Sequence, residues 1–139
     1  MLILDTDHLS HLGDPTPIGM NLLRRLSEAS QPVTTTVVSV EENLRGWLAR
    51  IRSANTSERE IVAYNRFQKR IEFFADWMIL PWDADAASAF SRIRSQGVRI
   101  GTQDLRIAAI ALAHDAILLT RNTVDFKRVP GLRFENWLD

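Results

Sequence analysis

Acidic and amide side chains follow apolar segments that are far apart in this sequence. They are Asp5 after residues 2–4, Glu41 and Glu42 after residues 33–38, Asp104 early in an apolar helical pattern, and Asn122 and Asp125 after residues 117–120. Because ligands bind outside the carboxyl ends of strands in a parallel sheet, these side chains are expected to meet at one edge. Clustered carboxylates repel one another, and a hard divalent cation such as Mg²⁺ or Mn²⁺ relieves that repulsion. A cation held in this way binds a phosphate oxygen and activates water, which is the chemistry of phosphodiester hydrolysis.

The segments that would position these acids alternate between strand patterns and helical patterns. Short apolar or β-branched runs predict strands at residues 2–4, 33–38, 78–80, 116–120 and 132–134. Apolar residues at helical spacing predict helices at residues 18–26, 40–51, 57–74, 84–96 and 102–111. Strands separated by helices predict right-handed crossovers and a parallel sheet with helices on both faces.

The composition is typical of one globular domain and excludes several kinds of site. The 139 residues are 45% hydrophobic and 24% charged, so we expect a single domain over residues 1–139. The absence of cysteine excludes disulfides, thiolate zinc sites and cysteine nucleophiles. The longest clean apolar run, residues 107–113, is too short to span a bilayer, and the first residues lack a signal-peptide pattern. We therefore expect a cytoplasmic protein with no membrane partner.

The balanced total charge hides an uneven distribution of basic residues. Seventeen Lys and Arg balance seventeen Asp and Glu over the whole chain. Seven basic residues oppose two acidic ones between Arg45 and Arg70, and four oppose one between Arg121 and Arg133. These segments indicate an anionic partner, although solvated helix faces are the ordinary explanation for such runs.

Each acid also has a structural explanation that needs no catalysis. The segment Ser39-Val40-Glu41-Glu42 fits a capping box, and Asp104 would complement the dipole of its helix. Asp5 is different, because an acid directly after a buried strand has no routine packing role.

Four stretches of the sequence resemble the PIN-domain ribonucleases. They are Leu4-Asp5-Thr6-Asp7, the segment from Ser39 to Gly46, the segment from Ile100 to Ala109, and the segment from Leu119 to Leu132. The last stretch is similar to the VapC-type toxins of bacterial toxin–antitoxin pairs. The resemblance implies a three-layer α/β/α PIN-like fold with a central parallel sheet of four to five strands. It also implies Mg²⁺- or Mn²⁺-dependent endonucleolytic cleavage of RNA, homodimerisation, and inhibition by a cognate antitoxin.

The resemblance also assigns site residues position by position. It implies that Asp5, Glu42 and Asp104 bind the metal, with Glu42 in the second position because it stands four residues before Gly46. A helical wheel favours Glu41 instead, since Glu41 borders the apolar stripe. The fourth acidic position of the family falls at Asn122, and Asp125 is the alternative there.

Three other interpretations remain open from the sequence. His8 and His11 have metal-ligand spacing, but a surface or capping role is the expected one. The Asp5-Thr6-Asp7 segment is similar to haloacid-dehalogenase-type phosphatases, although the chain lacks a suitable downstream lysine and acidic pair. The uncharged Asn122 is compatible with a non-catalytic PIN-like module that binds RNA or protein.

Overall fold

The computed structural model describes all 139 residues and contains five strands and seven helices. The strands are β1 Leu2–Leu4, β2 Val33–Thr36, β3 Ile79–Leu80, β4 Ile117–Leu119 and β5 Arg133–Glu135. The helices are α1 Thr6–His11, α2 Pro17–Glu28, α3 Val37–Ser53, α4 Ser57–Ala75, α5 Ala84–Ser95, α6 Thr102–Ala113 and α7 Thr123–Phe126. All five predicted strands and all five predicted helices are present, and α1 and α7 are additional short helices.

The strands form one parallel sheet in the order β3-β2-β1-β4-β5. β1 lies at the centre, where Leu4 is level with Thr35 of β2 and with Leu119 of β4. The backbone N–H of Asp5 donates to the Leu119 carbonyl oxygen over 3.0 Å, which extends this pairing by one residue. The carboxyl ends of the three central strands therefore open at the same edge of the sheet.

Side chains of the central strands alternate between two apolar layers. Ile3 and Leu118 lie in a cluster with buried residues of α5 and α6, including Ile93 and Ile110. The neighbouring strand residues, among them Leu4 and Leu119, pack on the opposite face against Leu22 and Leu26 of α2 and against Leu138. This alternation follows from the two-residue period of a strand. The predicted three-layer α/β/α architecture is confirmed.

The start of α3 differs from the sequence-based prediction. Thr36 ends β2 and caps α3, because its Oγ1 accepts a hydrogen bond from the backbone N–H of Ser39 over 3.0 Å. The prediction of a strand up to residue 38 followed by a Ser39 cap was therefore wrong, and the predicted capping box is not formed. Since α3 begins at Val37, Glu41 and Glu42 lie in its second turn rather than its first.

None of the helices is both long enough and apolar enough to cross a membrane. The least polar helix, α6, is buried against the sheet along most of its length. Its apolar character is therefore explained by packing between the sheet and α5.

Candidate active site at the carboxyl edge of the sheet

Asp5 leaves the end of β1 and caps the first turn of α1. Its Oδ1 accepts a hydrogen bond from the backbone N–H of His8 over 2.9 Å, and the residue is only 7% exposed. The same oxygen lies 3.2 Å from the His8 Nδ1. The position of this carboxylate is thus determined by the strand before it and the helix after it.

His8 fixes Asp5 through a contact with the other end of the chain. The backbone N–H of Trp137 donates to the His8 Nε2 over 3.2 Å. A backbone N–H is only a donor, so the imidazole has its proton on Nδ1, which donates to Asp5 Oδ1. Of the two roles expected for His8, surface or capping, the surface role was wrong, because His8 is fully buried and both ring nitrogens have partners. His11 instead lies 3.7 Å from Asp7 on the partly exposed side of α1.

The structure separates the two adjacent glutamates of α3. Glu42 Oε1 accepts a hydrogen bond of 2.6 Å from the Thr6 hydroxyl, which places it beside the end of β1. Glu41 is exposed and accepts hydrogen bonds of 2.9 Å from Arg45 and from Gln103. The geometry therefore brings Glu42, not Glu41, toward Asp5.

Asp104 enters the same cleft from the first turn of α6. Asn122 and Asp125 enter it from the N-cap and the first turn of α7, which follows β4. Asn122 Nδ2 donates to Asp104 Oδ2 over 3.2 Å and to Asp125 Oδ2 over 3.0 Å. Asn122 also caps α7, with its Oδ1 accepting from the Asp125 backbone N–H. The amide therefore bridges two carboxylates that would otherwise repel each other.

Burial and the neighbouring charges of the cleft both act on the Asp104 carboxyl. Burial raises the pKa of the Asp104 carboxyl above its ordinary value, and the neighbouring Glu42 carboxylate raises it further. The hydrogen bond from Asn122 lowers this pKa, whereas Asp5 and Asp125 each raise it. These five side chains therefore interact electrostatically, although they come from four places in the fold: the end of β1, α3, α6, and α7 with its N-cap.

Each of the three proposed metal-binding acids has one oxygen engaged by the protein. Asp5 uses Oδ1, Glu42 uses Oε1 and Asp104 uses Oδ2, while the second oxygen of each accepts no hydrogen bond. No three acidic or imidazole groups are close enough to hold one ion in this arrangement. The donor set is nevertheless made of carboxylate and amide oxygens, the ligand type that Mg²⁺ and Mn²⁺ prefer.

The sequence interpretation gave His8 a smaller role than the structure does. The spacing Asp5-x-x-His8 is that of a helix cap and could have placed the His8 backbone on Asp5. Thr6, the middle residue of the Asp5-Thr6-Asp7 segment, donates its hydroxyl to Glu42. Asp7, the second acid of the Asp5-Thr6-Asp7 segment, lies 3.7 Å from both His11 and Arg121 instead of joining the cluster.

The protein is therefore an α/β protein with an acidic cleft at the carboxyl edge of a parallel sheet. A family model described as PIN domain matches residues 2–132. The chain therefore belongs to the PIN-domain family.

The similar proteins include both curated relatives and solved structures. The chain is 28% identical over 140 residues to Ribonuclease VapC2 of Haemophilus influenzae, covering 98% of this chain and 97% of that one. It is 37% identical over 84 residues to the tRNA(fMet)-specific endonuclease VapC of Shigella flexneri, spanning 58% of this chain and 59% of the relative. A match to Ribonuclease VapC2 of Rickettsia felis is 35% identical and spans 56% of that relative.

The fold comparison covers nearly the whole chain. The crystal structure of FitAcB from Neisseria gonorrhoeae has a TM-score of 0.75 and 26% identity, covering 99% of this chain and 98% of that one. The promoter-DNA-bound VapBC2 complex of Rickettsia felis also has a TM-score of 0.75, with 23% identity and 98% coverage of both chains. The similarity confirms the expected PIN-like fold.

We predict that Asp104→Asn raises the thermal midpoint of the metal-free protein at pH 7. The amide removes a half-buried charge next to Glu42 and keeps an oxygen for Asn122. The expected rise is about 2–4 °C, which is roughly 1 kcal/mol for a chain of this size. Differential scanning calorimetry in EDTA measures it, with exposed Glu72→Gln as the matched charge-removal control.

The increase in thermal midpoint caused by Asp104→Asn should depend on pH. The raised pKa means that the folded wild type holds the Asp104 proton to higher pH than the unfolded chain. Wild-type stability therefore falls as pH rises from the ordinary Asp pKa to the raised one, and the variant lacks this loss. A midpoint below that of wild type at pH 7, or a gain that persists at pH values below the ordinary Asp pKa, would contradict the electrostatic explanation.

Proposed function

We propose that this chain is a divalent-metal-dependent endoribonuclease and the toxin of a type II toxin–antitoxin pair. The main support is the convergence of Asp5, Glu42 and Asp104 in one cleft, where burial and then the Glu42 carboxylate raise the pKa of Asp104. The names of the relatives, ribonuclease and endonuclease, support the same class of reaction.

The proposed metal is Mg²⁺ or Mn²⁺, held by Asp5, Glu42 and Asp104. The free second oxygen of each carboxylate is the proposed ligand atom. When bound, the ion would supply Lewis-acid stabilisation of a phosphate oxygen and a water of lowered pKa. The proposed fourth position is Asn122, and the alternative there is Asp125, which would provide the charge that Asn122 lacks.

The remaining polar residues of the cleft orient these carboxylates. His8 and the α1 backbone hold one oxygen of Asp5, Thr6 holds one oxygen of Glu42, and Asn122 spaces Asp104 from Asp125. Such fixed partners lower the cost of rearranging the carboxylates when an ion binds, because a hydrogen bond to one oxygen sets the orientation of the other.

We predict that Asp5→Asn, Glu42→Gln and Asp104→Asn each reduce RNA cleavage by at least about 100-fold, since each removes a proposed ligand charge. Glu41→Gln should retain near wild-type cleavage because Glu41 is bound by Arg45 and Gln103 outside the cleft. Purified variants are compared in a gel-based cleavage assay with Mn²⁺. A greater loss of cleavage for Glu41→Gln than for Glu42→Gln would show that Glu41 is the second acid of the site. A wild type that does not cleave RNA would favour the non-catalytic binding module.

The proposed substrate is single-stranded or loop RNA. Side chains do not reach the bases of A-form duplex through its deep major groove, whereas a splayed strand enters a cleft. We expect cleavage of matched single-stranded and hairpin RNAs with Mg²⁺ or Mn²⁺, little cleavage of the full duplex, and none in EDTA. Preferential duplex cleavage or full activity in EDTA would contradict this proposal.

The proposed protein partners are a second copy of the chain and a cognate antitoxin. Large apolar side chains are exposed on α3 and α4, including Leu48, Ile61, Val62 and Tyr64, as expected of a surface that another protein covers. The acidic cleft would attract a basic side chain of the inhibitor to Asp5, Glu42 and Asp104.

We predict that coexpression with the protein encoded directly upstream relieves growth inhibition and yields a stable complex. Copurification through a tag on the partner measures binding, and light scattering of the purified chain is expected to give a dimer mass. Unchanged toxicity on coexpression would be evidence against this antitoxin, and a monomer mass at working concentration would be evidence against the dimer.

A further inference from the structure

A groove of about 700 Å³ lies beside the candidate active site. Its walls come from α1, the loop between α1 and α2, the middle of α3 (residues 42–50) and the second half of α4. Thr6 and Glu42, which share a hydrogen bond at the site, belong to its lining. The groove is therefore continuous with the cleft that contains the clustered acids.

Four basic side chains line this groove, and none of them is neutralised. Arg50, Arg66, Lys69 and Arg70 have no carboxylate oxygen within 4.0 Å and donate no hydrogen bond, whereas the lining contains only two acids, Asp14 and Glu42. By contrast, Arg24, Arg45, Arg121 and Arg133 elsewhere on the surface are paired with carboxylates. Four cations without a carboxylate partner therefore share one groove next to the acidic cleft, while others, such as Arg92 and Arg94, lie elsewhere on the surface.

Arg70 is the least exposed of the four. Burial lowers the pKa of its guanidinium, and the charge of Asp14 opposes this change. The guanidinium carbon lies 5.1 Å from the Phe73 ring centroid. A partly desolvated cation without a hydrogen-bond partner costs free energy unless a ligand satisfies it.

The groove also contains a flat stacked pair. The Arg50 guanidinium carbon lies 4.3 Å from the ring centroid of half-buried Trp47. Aromatic rings and guanidinium planes are the surfaces on which proteins stack unpaired bases. An acidic peptide would match the charge of the groove but not this planar surface.

We propose that this groove binds the RNA strand on one side of the scissile phosphate, with phosphates on Arg66, Lys69 and Arg70 and a base against the Trp47–Arg50 pair. The proposal rests on the ribonuclease function proposed above. The acids of the cleft repel phosphates, so affinity for a polyanion must come from adjacent positive charge. Other residues of the two basic segments are placed differently: Arg121 and Arg128 are ion-paired, and Arg52 lines a different surface with Leu48.

Fluorescence anisotropy with a short fluorescein-labelled single-stranded RNA of mixed sequence tests the groove. EDTA prevents metal-dependent cleavage, and phosphate contacts do not depend on sequence, so the probe needs no cleavage site. The double variant Arg66→Gln/Lys69→Gln should bind more weakly, and its slope of log affinity against log salt should fall by about 1.4, or about 0.7 for each lost contact. Arg52→Gln, an exposed and unpaired arginine of the same helix as Arg50, is the matched control and should keep the wild-type slope.

The stacked pair is tested separately. Trp47→Leu should weaken binding by about 5-fold or more, as expected for loss of one base stack, and Trp47→Phe should recover part of the affinity. Thermal midpoints of all variants show whether any loss reflects unfolding.

The outcomes separate this proposal from the ribonuclease function. A wild-type slope in the double variant, or no salt-dependent binding by the wild type, overturns the groove proposal even where metal-dependent cleavage is observed. If the double variant binds RNA as the wild type does but no longer binds the upstream-encoded protein, the groove proposal is also overturned. The groove would then be a protein-binding surface. Absence of metal-dependent cleavage by the wild type would instead contradict the proposed function.

Discussion

Repulsion among carboxylates at the carboxyl edge of the sheet is the constraint on which the cleft depends. The sheet imposes it, because the central position of β1 sets Asp5 level with the ends of β2 and β4. Asp104 is then half-buried next to Glu42, and its pKa rises as a consequence. The two apolar layers formed by α5 and α6 on one face and α2 on the other stabilise this arrangement. Burial of apolar surface thus offsets the cost of bringing like charges together.

The hydrogen bonds in the cleft divide each carboxylate into a held oxygen and a free one. His8, Thr6 and Asn122 engage the held oxygens, and His8 is itself fixed by the backbone of Trp137 at the far end of the chain. This division restricts the orientation of the acids without neutralising them. It leaves a negatively charged cleft that attracts cations, next to a groove of unpaired basic side chains that attracts anions.

Local sequence patterns were sufficient to predict the strands, the long helices and the positions of Asp5 and Asp104. They were not sufficient to choose between Glu41 and Glu42, because that choice depends on where α3 begins and on the Thr6 hydroxyl, which is 36 residues away from Glu42. Helical periodicity favoured Glu41, and only the resemblance to the family favoured Glu42. The burial of His8 depends on a contact across 129 residues. The basic segment from Arg45 to Arg70 contains all four cations of the groove, but the groove itself depends on the packing of two helices, which no local pattern shows.

The most direct test of the proposed metal site is calorimetric titration of Mn²⁺ into the metal-free protein at neutral pH. We expect saturable binding by the wild type, and Asp104→Asn or Glu42→Gln should weaken it by about 10-fold or more. The matched variant Glu41→Gln should bind as the wild type does. Absence of saturable Mn²⁺ binding, or binding that is unaffected by Asp104→Asn and Glu42→Gln, would contradict the proposal that these carboxylates hold a divalent metal.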